Sequence, residues 1–111
     1  MARQIIWTKR AQKERTDILK FWKEHNQSII FSRKLNDLIK DSLILISRHP
    51  FIGKPTVKEN VRIKVLRDYH IIYEITQTEI VVLSIWDNRQ NPEKSILKYI
   101  YCTSVPSASN P

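Results

Sequence analysis

Val61-Arg62-Ile63-Lys64-Val65-Leu66-Arg67-Asp68-Tyr69-His70-Ile71-Ile72-Tyr73-Glu74-Ile75 is the stretch that decides the fold. Residues 61–65 alternate strictly, aliphatic on one face and cationic (Arg62, Lys64) on the other, which is the period of a β-strand. Leu66-Arg67-Asp68 turns the chain into a second strand, Tyr69–Ile75. Thr76 to Glu79 turns it again into a third, Ile80–Trp86. These connections are too short for parallel crossovers, so the three strands predict an antiparallel meander. With the aliphatic side of residues 61–65 turned to the rest of the protein, Arg62 and Lys64 are expected on an open sheet face.

Upstream of the meander the period changes. Gln4-Ile5-Ile6-Trp7 is a short β-prone run, and Thr8 is placed to cap a helix that starts at Lys9. Ala11, Ile18, Leu19 and Trp22 fall on one face of that helix, which is expected to end near His25–Asn26. Ser28 can cap a second helix running to about Arg48, with Phe31, Leu35, Leu38, Ile39, Ser42, Leu45 and Ile46 in one stripe. Two amphipathic helices joined by so few residues form an antiparallel hairpin. His49-Pro50 ends it, and Gly53, the one glycine of the chain, follows in the loop. Downstream, Glu93 to about Tyr101 predicts a short terminal helix. Helices followed by a run of strands mean an α+β fold: an N-terminal strand, a helical hairpin, a three-strand antiparallel meander and a short C-terminal helix. Residues 1–101 read as a single domain. Residues 102–111, almost all small and polar with two prolines, read as a flexible tail.

At 111 residues the chain is long enough for one modest core without staples. Its single cysteine, Cys102, excludes an internal disulfide framework. No apolar run approaches the ~20 residues of a membrane span, and the first residues lack the apolar core of a signal peptide; a cytoplasmic protein is expected. Nineteen Lys and Arg against eleven Asp and Glu leave a formal net charge of +8, which favours polyanionic partners, nucleic acid or an acidic protein.

One glycine excludes a phosphate-cradling Gly-rich loop. His25, His49 and His70 lie in separate elements, so no metal set is expected, and no cofactor is implied. What remains is a basic constellation in the sheet or at its strand ends: Arg62, Lys64, Arg67, His70 and Arg89. Lys and Arg suit a phosphate, Arg with a planar fork. His titrates near neutrality and can carry a proton. Cleavage of RNA by its own 2′-hydroxyl needs oriented groups and charge neutralisation on the phosphorane, which such residues supply. Each has a plainer reading too: a solvated strand face for Arg62 and Lys64, a local pair with Asp68 for Arg67, a half-buried surface histidine for His70, a strand-end cap for Arg89, and a rim residue for Trp86.

The block Val61–Ile75 resembles the central strands of the RelE/ParE superfamily, toxins of type II toxin–antitoxin modules. The resemblance lies in the basic strand, the turn, Tyr69-His70-Ile71-Ile72-Tyr73, and the strand end Asp87-Asn88-Arg89. Pro50-Phe51-Ile52-Gly53-Lys54 resembles the family's loop after the second helix. The match in order and length runs from Gln4 to about Lys94. It implies a toxin silenced by a cognate acidic antitoxin. In the ribonuclease branch, which works on ribosome-bound messenger RNA without a metal, the functional positions fall on Arg62, Lys64, His70 and Arg89, with Arg67 and Trp86 as further RNA contacts. His70 stands where that branch usually keeps Arg, and Glu74, on the same strand face, admits a His–Glu acid–base pair. The other branch inhibits DNA gyrase without catalysis. A third reading is an inactive relative that serves only as a docking module. The ribonuclease reading is the expectation taken forward.

Overall fold

A computed structural model of the chain describes residues 2–25 and 29–87. The expected terminal helix, Arg89 and the tail from residue 102 lie outside them. The described elements run β1 (Gln4–Trp7), α1 (Lys9–His25), α2 (Ile29–Arg48), a 3₁₀ turn (Pro50–Ile52), β2 (Lys54–Pro55), β3 (Val61–Leu66), β4 (Tyr69–Ile75) and β5 (Glu79–Asp87). This is the α+β order expected from the sequence, with one two-residue strand, β2, added before the meander.

Thr8 begins α1 as its residue type predicts. Its Oγ1 accepts from Ala11 N at 3.1 Å while it donates to the Val82 carbonyl at 2.8 Å, so one hydroxyl caps the helix and ties it to β5. Lys23 and His25 sit in the last turn of α1, where the helix dipole favours cations. Ser32 of α2 donates to the Leu19 carbonyl of α1 at 3.0 Å and helps to clip the hairpin.

The five strands form one sheet in the order β1-β5-β4-β3-β2. The meander is antiparallel, and β1 adds alongside β5 in parallel, Gln4 opposite Glu79 and Trp7 opposite Val82. That parallel pair is possible because the whole hairpin and meander lie between its two strands. The register of β4 on β5 shifts between Ile72 and Tyr73. Glu14 of α1 reaches β5 beside the shift: its Oε1 accepts from Ser84 Oγ at 2.9 Å and from Ile85 N at 3.1 Å. A bulge frees a backbone donor, and here a helix carboxylate takes it.

The main core lies between the hairpin and one sheet face. Ala11, Leu35, Ile39, Leu43 and Ile46 meet Tyr69, Ile71, Tyr73, Ile75, Ile80, Val82 and Ile85, with Ile5, Trp7, Ile18, Leu19, Trp22 and Leu66 packed at the margin. Trp22 Nε1 donates to Tyr69 Oη at 2.5 Å, joining α1 to β4. A second, smaller cluster, Val61 and Ile72 with Ile63, Leu83 and Trp86, forms on the opposite face.

That second cluster overturns the expected orientation of β3. Directly opposed residues of an antiparallel pair share a face. Arg62 opposes Tyr73, Lys64 opposes Ile71 and Leu66 opposes Tyr69, so the two cations stand on the helix side. Val61, Ile63 and Val65 stand on the other. The reason is that β4 is apolar on both faces, with Ile71, Ile72 and Tyr73 all fully buried. Both faces therefore offered β3 an apolar neighbour, and the aliphatic row of β3 went to Ile72.

Candidate functional site

The sheet distributes the expected site residues over two faces. On the helix side, Arg62 is held by the loop that follows α2. Its Nη1 donates to the Phe51 carbonyl at 3.0 Å and to the Gly53 carbonyl at 2.8 Å, and the guanidinium carbon lies 5.0 Å from the Phe51 ring centre. Lys64 is two residues along on the same face, partly buried. Beside Arg62, the fully buried Tyr73 hydroxyl donates to the Pro50 carbonyl at 2.6 Å and accepts from Gly53 N at 3.0 Å. Burial pushes the Tyr73 phenol up, against the opposing pull of the Gly53 N–H and the Arg62 charge.

Gly53 is required here by close approach, not by backbone angle, since its φ is −75°. A Cβ at this position would stand 2.6 Å from the Tyr73 hydroxyl and 3.0 Å from the Ile63 carbonyl. Arg62 and Tyr73 together fix the loop from Pro50 to Gly53. The sequence marked this loop with Pro50 and the lone glycine, but its tie to Arg62 could not be read from spacing.

On the opposite face stands His70, between Val65 of β3 and Trp86 of β5. Its ring stacks on the Trp86 indole, centroids 4.9 Å apart and planes 22° from parallel. Among the described residues, His70 Nδ1 and Trp86 Nε1 are both buried without a hydrogen-bond partner. Lys54, opposite Ile63, shares this face. Burial first, and then the Lys54 ammonium, hold the His70 pKa below its ordinary value of 6.5. Glu74 shares the face as well, but four residues along an extended strand is about 13 Å, too far for His70 and Glu74 to act on one phosphate group.

Arg67 lies at the β3–β4 turn, exposed, with φ 55°. Trp86 packs with the smaller cluster beneath His70. The described face thus brings together His70, Trp86 and Lys54, and separates them from Arg62 and Lys64 by the thickness of the sheet. Among the described residues no three His, Cys, Asp or Glu side chains group in a way that could hold a metal ion. No described helix is long and apolar enough to cross a membrane.

The lowered His70 pKa has a consequence for stability. The unfolded chain takes up the proton near pH 6.5, the folded chain only at lower pH. His70 therefore contributes stability that is present above about pH 6.5 and is lost as the pH falls through its folded value. Lys54 repels the new charge, and distant Glu74 offsets little of it. Thermal melts across about pH 5–8 are expected to show a steeper acid loss for the wild type than for His70→Gln. Equal slopes would remove His70 as the source.

Comparison with known proteins agrees with this architecture. The family model described as "ParE toxin of type II toxin-antitoxin system, parDE" matches residues 5–92. A solved structure titled "Chromosomal ParDE TA system from P. aeruginosa" superposes with a TM-score of 0.64 at 17% identity, covering 76% of this chain and 94% of that one. At that identity the likeness concerns the fold. Comparison with curated proteins gives no match. Because the family model spans most of the sequence, from β1 past the end of β5, the chain belongs to the ParE toxins of type II toxin–antitoxin modules.

Proposed function

We propose that this toxin acts by binding a protein target, DNA gyrase in the reading that its family resemblance offers, and not by cutting RNA. The observation that carries the proposal is the sheet standing between His70 and the Arg62–Lys64 pair. A ribonuclease of the expected kind needs these groups around one phosphate, since oriented charge and proton transfer act over hydrogen-bond distances. Two further points support it. Arg62 spends Nη1 on two backbone carbonyls and its face on Phe51. His70 is held toward the neutral form and stacked on Trp86.

The partner that silences it is proposed to be an acidic antitoxin segment, drawn in by the +8 charge, with an association rate that falls as salt rises.

Induction of the protein alone tests the proposal. Growth arrest with intact messages and with supercoiling by gyrase reduced is expected, and His70→Ala is expected to stay toxic. If messages are cleaved, and His70→Ala lowers cleavage by the ~10²–10⁴-fold typical of a lost general acid or base, the protein is a ribonuclease after all. An induced culture that grows normally would instead indicate a docking module.

A further inference from the structure

The 3₁₀ turn after α2 presents two apolar side chains to solvent. Phe51 is 62% exposed and Ile52 45%. Single exposed apolar residues are ordinary. What distinguishes this pair is the backbone beneath it. Tyr73 bonds the Pro50 carbonyl and the Gly53 N–H, and Arg62 bonds the Phe51 and Gly53 carbonyls. Four hydrogen bonds from two sheet residues fix a three-residue turn, and the Arg62 guanidinium lies against the Phe51 ring. An aromatic held this way loses little conformational freedom when a partner covers it, which is the property of an interface anchor.

The surrounding charge says what kind of partner. Residues 48–67 contain six Lys and Arg against one acid, Glu59, and so carry five of the chain's eight net positive charges. Of these, β3 supplies Lys64 on the same sheet face as Arg62, the residue that holds the turn. An anchor of one aromatic and one branched aliphatic residue suits an apolar pocket in a protein. A base-stacking surface would instead set aromatics among cations free to reach phosphates, and Arg62 here is engaged with carbonyls.

We infer that Phe51 and Ile52 form a preorganised anchor that inserts into an apolar pocket on the target protein, with carboxylates around that pocket meeting Lys64, which shares its sheet face with the Arg62 that holds the anchor. The inference rests on the protein-target reading above and locates its contact surface.

The test uses the purified full-length chain and purified DNA gyrase in a supercoiling assay. Phe51→Ser and Ile52→Ser remove exposed side chains and are expected to melt at the wild-type temperature. Each is expected to need about 10–100-fold more protein for equal inhibition, the range for a central interface residue. Lys64→Glu is expected to bind gyrase more slowly and with weakened salt dependence. Wild-type inhibition by Phe51→Ser overturns the anchor while leaving the protein-target reading intact. If Phe51→Ser fails to fold, Lys64→Glu decides, and unchanged binding and salt response overturn the assigned surface. Loss of single-stranded RNA or DNA binding in Phe51→Ser, with gyrase inhibition retained, makes nucleic acid the occupant and also overturns it. A wild-type protein without effect on gyrase shows the failure of the protein-target reading itself, before any variant is compared.

Discussion

Tyr73→Ala is expected to remove about 3–5 kcal/mol through the cavity alone, because this ring is fully buried in the centre of β4. The hydroxyl adds to that. Its loss leaves the Pro50 carbonyl and the Gly53 N–H without their partner, at about 1–3 kcal/mol for each group left buried and unpaired. Domains of this size are stable by about 5–15 kcal/mol, so Tyr73→Ala is expected to leave little folded protein. Tyr73→Phe isolates the hydrogen-bond part, with an expected loss of about 2–6 kcal/mol for the two groups, read from the denaturant midpoint. Gly53→Ala forces a Cβ against the same hydroxyl. The double variant Tyr73→Phe/Gly53→Ala should therefore lose less than the two single losses combined, since removing the oxygen relieves the closest contact. Strict additivity would show that the loop is not held by this contact.

The second large effect lies in α2. Ile39→Ala is expected to cost about 2–5 kcal/mol, as Ile39 is fully buried against the sheet in the line Leu35, Ile39, Leu43, Ile46. Leu38 belongs to the same stripe in sequence but is half-buried. Leu38→Ala is expected to fall below about 1.5 kcal/mol. A 3.6-residue period identifies the buried side of a helix to within one residue of its axis, and the direction of the sheet beneath decides which row is central. Equal losses at both positions would place the contact line between them.

The helices illustrate what could be read in advance. Thr8, the paired apolar stripes and His49-Pro50 fix both ends of the hairpin through local chemistry, capping and a missing N–H, and α1 and α2 begin and end where those residues place them. β3 illustrates the opposite case. Its alternation defines two faces but not which is covered, because that depends on β4, and β4 has apolar residues on both sides. A run such as Ile71-Ile72-Tyr73 could have warned that the second face also carries a cluster. The candidate site followed that ambiguity. Arg62, Lys64 and His70 share charge and nearness in sequence, and a one-residue change of parity along a strand is enough to put a sheet between them. β2, at two residues, is too short to show a period. Arg89 lies outside the described residues.

The parallel pairing of β1 with β5 joins the beginning of the chain to its last described strand. During synthesis, β1 and the hairpin leave the ribosome well before Glu79–Val82 exist to receive Gln4–Trp7. The core that needs Ile80, Val82 and Ile85 waits with them. Long-range closure of this kind slows folding and keeps partial chains open. A truncated or stalled translation product therefore carries the helices but not the finished sheet, because β5, the partner of β1 and the source of Ile80, Val82 and Ile85, has not yet been made. Until β5 emerges, an antitoxin already present in the cell meets a chain whose helices are made but whose sheet is still open.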